Sequence, residues 1–164
     1  MSQFNLNIIN LDYLEPSDDF DIAFDVRLVL DENLIYSSLI NASSNGLKVK
    51  IKLNHKEKND LTKDDFLFVP ESNMLFYKGL TEWLIIDLAN KLINRITDAT
   101  LMWSFERKED VIIIYDELYA ESTDLNGEKI DRVPIDPPYE SEEFEDRIEF
   151  DSLVYGKQTL SLKK

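Results

Sequence analysis

The stretch Leu80-Thr-Glu-Trp-Leu-Ile-Ile-Asp-Leu-Ala-Asn-Lys-Leu-Ile-Asn-Arg-Ile96 carries the longest apolar periodicity in the chain. Leu84, Leu88 and Leu92 recur every four residues, and Ile85, Ala89, Leu92 and Ile96 form a second row beside them. At about 100° per residue the rows merge into one wide apolar face. Gly79 precedes the stretch and Asp98 follows it, with no Pro or Gly inside. Nothing there removes a backbone donor or weakens a helical ladder. The pattern predicts one main amphipathic helix over about residues 80–97.

The segments on either side read as strands. Phe4, Leu6 and Ile8 alternate with polar neighbours, and the phase slips at Ile9, which suggests a bulge. Phe20, Ile22, Phe24, Val26, Leu28 and Leu30 make a longer alternating run. A turn at Asp31-Glu32-Asn33 lets Leu34–Ile40 return as its hairpin partner. Leu47, Val49, Ile51 and Leu53 alternate with Lys48, Lys50 and Lys52, predicting a strand with a basic outer face. Beyond the helix, Leu101–Phe105 and Val111–Tyr115 flank a turn at Arg107–Asp110. The unbroken Val111–Ile114 run fits a strand buried on both faces. From about residue 117 the chain becomes acidic and contains Pro134, Pro137 and Pro138. Ile148, Phe150, Leu153 and Tyr155 predict a last strand or segment packing back. The expected fold is α+β: one domain over 1–164, a largely antiparallel sheet of hairpins covered by the helix.

Composition narrows the function classes. A chain of 164 residues with 43% hydrophobic content can bury a substantial core. There is no cysteine, which excludes disulfides and thiolate chemistry. The first ten residues lack the features of a secretory signal, and the longest apolar runs are far too short for a membrane span. The expectation is a cytoplasmic protein. Its net charge of −15 repels nucleic acid and anionic membrane and attracts basic partners. Charge is uneven: residues 47–64 hold six lysines against three acids, whereas residues 106–164 hold seventeen acids against eight bases.

No motif names a reaction. The four glycines are isolated, so there is no phosphate-binding loop or dinucleotide fingerprint, and no cofactor is expected. Asp124-Leu125-Asn126-Gly127 has the middle of a calcium loop, but Ser122 and Val133 fall where acidic ligands belong, so it reads as a simple turn. His55, the lone histidine, stands among lysines and reads as a solvated loop residue. Glu106-Arg107-Lys108, with Asp98 upstream, is the one acid-x-lysine set; in a metal-dependent hydrolase or nuclease the acids Asp98 and Glu106 would hold the ion and Lys108 would sit near the attacking water. A charged hairpin turn accounts for the same triplet.

Two groups suit binding. Tyr139, Glu140, Glu142, Glu143, Phe144, Glu145 and Asp146 combine an acidic cluster with two aromatic anchors, which suits a basic protein surface. Trp83, with Asp87 and Asn90, falls outside the main helical face and makes a second candidate anchor. A small, acidic, cysteine-free α+β chain with a tryptophan-bearing helix resembles the immunity proteins of bacterial polymorphic toxin systems. The resemblance implies a non-enzymatic protein that neutralises a cognate toxin, often a basic nuclease, by direct binding. The acids would then imitate a phosphate backbone or plug a basic active site. A structural or assembly subunit, joined through the Lys48-Lys50-Lys52 strand, is a further expectation.

Overall fold

The computed structural model describes residues 4–26, 33–44, 46–58, 60–79, 82–98 and 102–164, without the side chains of 98, 102 and 103. The predicted Arg27–Leu30 half of the second strand, most of the turn at Asp31-Glu32-Asn33, and Leu80, Thr81 and Leu101 lie outside the described residues. The fold is all-β rather than α+β. Among the described residues the one helical element is a three-residue 3-10 turn, Lys63–Asp65. Four sheets follow one another along the chain. The first comprises β1 (Asn5–Leu11), β2 (Ile22–Asp25), β3 (Tyr36–Ser44) and β4 (Leu47–His55). The second comprises β5 (Phe66–Val69), β6 (Met74–Lys78), β7 (Glu82–Asp87) and β8 (Leu92–Asp98). The third comprises β9 (Met102–Lys108), β10 (Val111–Asp116), β11 (Tyr119–Asp124) and β12 (Lys129–Pro134). The fourth comprises β13 (Tyr139–Glu143), β14 (Arg147–Ser152) and β15 (Gly156–Ser161).

The predicted helix over 80–97 is therefore corrected to two strands and a turn. Trp83–Ile86 is a continuous apolar run, and such a run fits a strand buried on both faces as well as a helix segment. Its Trp and two Ile favour the pleated backbone. Leu84 and Ile86 enter a core on one side of β7, while Trp83 and Ile85 are also buried, at 2% and 0% exposure, on the other. The chain then turns at residues 88–91. The Asp87 carboxylate accepts the Asn90 backbone N–H at 2.9 Å and its side-chain amide at 2.8 Å, and Lys91 takes a left-handed φ of 55°. Leu92 and Ile96, the end of the supposed apolar stripe, are exposed on β8.

The task assigned to the helix, covering an apolar sheet face, falls to other sheets. The described residues group into two compact units, one of residues 1–79 with 84–96, the other of 80–83 with 97–164. In the first unit Ile40, Ile51 and Leu53 share a core with Leu75, Tyr77, Leu84 and Ile86. Each such side chain contributes about 1.5–3 kcal/mol by leaving water. In the second unit Ile113, Ala120 and Val133 share a core with Ile148, Phe150 and Leu160.

The first sheet departs from the expected pairing. Its order is β1-β3-β4-β2, with β3 antiparallel to both neighbours and β2 parallel to β4. The local hairpin is β3–β4, closed at Gly46, whose φ of 84° a side chain would strain. No bulge interrupts β1 at Ile9; its register against β3 runs unbroken, and Ile9 is simply exposed. The lysine strand is not a bare basic face. Lys52 is buried and donates to the Ser17 and Glu15 carbonyls at 2.7 and 3.3 Å, over the Phe20 ring. Lys50 pairs with Asp19 at 2.6 Å.

Candidate functional site

The acidic C-terminal stretch forms an ordered surface in the second unit. After Pro137-Pro138 the chain enters β13, an edge strand antiparallel to β14, which is in turn antiparallel to β15. The alternation of β14 decides the two faces. Ile148 and Phe150 are buried at 1% and 2% exposure, so Glu149 and Asp151 point the other way. Register then places Glu142 directly opposite Glu149, and Glu140 directly opposite Asp151. Four carboxylates share this face, with Lys157 and Thr159 of β15 beside them along a shallow open groove. Arg147 reaches Glu149 at 2.8 Å. Among the described residues no cation lies within ion-pairing distance of Glu140 or Glu142.

The other members of the predicted set are engaged within the unit. Tyr139 is half-buried, edge-on to Phe150 at 5.4 Å, and burial pushes its phenol pKa up. Phe144 lies under the Arg147 guanidinium at 4.1 Å. Glu143 pairs with Lys108, Glu145 with Lys163 at 3.3 Å, and Asp146 with Arg147 at 3.1 Å. Glu149 and Asp151 were not among the predicted residues. Their signal was present in Ile148-Glu-Phe-Asp151, an alternation in which the acids stand out of phase with the core.

The second predicted group is placed differently. Trp83 is buried in β7, the Asp87 carboxylate holds the following turn, and Asn90 is exposed in that turn. In the acid-x-lysine set, Glu106 and Lys108 are 3.7 Å apart on β9, and Lys108 also holds Glu143 of β13. Tyr115 packs beside them. Burial, and then the Glu106 and Glu143 charges, push its phenol far above the usual range. The Asp98 side chain lies outside the described residues. Among the described residues no cluster of three or more His, Asp or Glu is arranged to hold a metal, and no helix is long and apolar enough to cross a membrane.

His55 is not a solvated loop residue. It is 3% exposed at the end of β4, in phase with Ile51 and Leu53, with Nε2 3.2 Å from the Ser38 hydroxyl. Ser38 donates to Asn10 Oδ1 at 2.7 Å, and Asn10 donates onward to the Leu61 carbonyl at 3.0 Å. With the Ser38 proton committed to Asn10, Nε2–H is the donor toward Ser38. Burial lowers the folded-state pKa of His55 below its unfolded value of about 6.5. Below that value the unfolded chain binds the extra proton, so stability is full above about pH 6.5 and is lost as pH falls toward the folded pKa. The melting temperature of the protein is expected to drop between about pH 7.5 and pH 5.5, and His55→Gln to flatten that slope. An unchanged slope in the variant would remove His55 as its source.

No protein-family model matches the sequence, and no curated protein matches it. Among solved structures the chain is similar to the β-propeller domain of the Trilobed protease from Pyrococcus furiosus, described as having an open velcro topology. The similarity has a TM-score of 0.47 and 14% identity, and it covers 79% of this chain. This chain spans about half of that one, 47% of its length.

Proposed function

We propose that this chain is a non-enzymatic binding protein that receives a basic protein partner on the exposed face of β13, β14 and β15. One observation carries the reading. Glu142 stands directly opposite Glu149, and Glu140 directly opposite Asp151. Like charges placed opposite one another across a strand pair destabilise the pair. Acids that served solubility alone could be scattered without that cost. Gathered on one face, they focus a negative field that steers and orients a basic surface. The net charge of −15 adds to that field and disfavours nucleic acid or an anionic membrane as the partner.

Within that class, the resemblance to immunity proteins suggests a nuclease-type toxin, neutralised by direct binding in the cytoplasm. The tryptophan-bearing helix no longer contributes to that resemblance; the acidic, cysteine-free character still does. The metal-dependent hydrolase reading on Asp98, Glu106 and Lys108 has no comparable observation behind it, since Lys108 is held by two carboxylates.

The test isolates the retained basic protein from native lysate at low salt and measures its affinity across a salt series. Glu140→Lys/Glu142→Lys is expected to weaken binding at least about tenfold and to flatten the salt dependence. Unchanged affinity would remove this face from the reading.

A further inference from the structure

The hairpin joining β14 to β15 ends in Leu153, Val154 and Tyr155, which are 89%, 65% and 41% exposed. Two-residue and longer hairpin tips normally carry Gly, Asn, Asp or Ser, whose conformations and hydrogen bonds suit the turn. Leu and Val offer neither, so turn chemistry does not explain them. Scattered exposed apolar residues are ordinary, but three consecutive ones at one hairpin tip form a contiguous apolar surface of the kind a partner covers.

The tip is also fixed in shape. The Tyr155 N–H donates to the buried Ser152 hydroxyl at 3.0 Å, and the Gln158 side-chain amide donates to the Tyr155 carbonyl at 2.9 Å. Gly156 supplies a φ of 62° that closes the turn. An anchor held in one conformation loses little entropy when it docks.

We infer that Leu153, Val154 and Tyr155 are the apolar anchor of the acidic face, and that they insert into an apolar pocket rimmed by Lys or Arg on a folded protein. Charge complementarity selects that occupant. The strands leading into the tip carry Glu149 and Asp151 on one side and Lys157 on the other, with Glu140 and Glu142 on the same face. A surface that accepts the tip must therefore also accept four neighbouring carboxylates. An anionic lipid surface would meet the apolar residues and repel their surroundings. This inference rests on the acidic-face reading above and adds to it the residues that control how long the complex lasts, since desolvated anchors act mainly on dissociation and steering charges on association.

The test uses the full chain in its native cells, with the photocrosslinker p-benzoylphenylalanine replacing Val154 in one variant and Glu142 in another. Irradiation is expected to join both positions to one and the same basic protein. Affinity for that isolated protein is then measured with Leu153→Ser/Val154→Ser, which is expected to raise the dissociation rate about tenfold or more while leaving the salt dependence unchanged. An adduct at position 142 with undiminished affinity in the tip variant overturns the anchor and leaves the acidic face standing. No adduct at either position overturns both. An adduct at position 154 with an acidic protein or a second copy overturns the inference. So does tip-dependent binding to phosphatidylcholine–phosphatidylglycerol vesicles. Both substituted tip residues are exposed, so an unshifted thermal melt shows that any loss belongs to binding.

Discussion

Trp83→Ala will destabilise the protein by about 3–5 kcal/mol, the cost of removing a fully buried aromatic side chain and leaving a cavity. Trp83 is 2% exposed on β7, and its neighbours Leu84 and Ile85 are both 0% exposed on opposite sides of that strand. The prediction separates two readings of one sequence. On a helix, Trp83 would lie off the apolar face among Asp87, Asn90 and Asn94, and its removal would fall within about 0.5 kcal/mol. On a strand buried on both sides, Leu84→Ala and Ile85→Ala join it with costs of about 2–5 kcal/mol each. Urea titration of the three variants reads these values from the shift in midpoint at constant slope. Domains of this size hold only about 5–15 kcal/mol in total, so any one of these substitutions consumes a large share. A Trp83→Ala loss under about 1 kcal/mol would put the residue at the surface and the strand assignment in error.

Phe150→Ala will cost a similar amount, about 3–5 kcal/mol. Phe150 is 2% exposed and meets two aromatic rings edge-on, Tyr139 at 5.4 Å and Tyr115 at 6.4 Å. Such pairs add about 0.5–1.5 kcal/mol beyond the area they bury, so Phe150→Leu should recover only part of the loss. The consequence for function follows from β14 itself. Phe150 lies between Glu149 and Asp151 in sequence and on the opposite face, so it anchors the strand that holds both carboxylates in place. Partner binding should therefore weaken in Phe150→Ala although the Phe150 side chain is buried in the core. Chemical denaturation and affinity are both required; a stability loss under about 1 kcal/mol would mean that Phe150 is not the centre of this core.

Period-two patterns were the part of the fold legible from residues alone. Val49, Ile51 and Leu53 alternate with lysines and do face a core. The turn between β9 and β10 falls within Arg107–Asp110, with Glu109 at a φ of 49°, and Ile112–Ile114 are buried on both faces as their unbroken run suggested. The stretch 80–96 misled because Leu84, Leu88 and Leu92 satisfy a period near four while Trp83–Ile86 equally satisfies a doubly buried strand. The Asp87–Lys91 turn carries no Gly or Pro to mark the break, and its Leu88 and Ala89 continue the apolar pattern. His55 was legible in principle, two residues beyond Leu53 in the same phase, but its charged neighbours masked it.

The candidate site was half legible. The acids of β13 stood out by density, and the alternation that exposes Glu149 and Asp151 was readable in β14. Their pairing was not, because register across β13 and β14 depends on a tertiary alignment that no local pattern specifies. Leu153 and Tyr155 read as part of a last strand or segment packing back because apolar residues usually are buried; the structure places them, with Val154, at a hairpin tip.

The most direct test of the acidic face measures stability and affinity together in one variant, Glu140→Gln/Glu142→Gln. If those carboxylates are held opposite Glu149 and Asp151 for the sake of a basic partner, neutralising them relieves repulsion and removes the field at once. The melting temperature at low salt is then expected to rise by roughly 2 °C while affinity for the basic partner falls at least tenfold. A fall in melting temperature would show the acids to be structural, and an unchanged affinity would contradict the account.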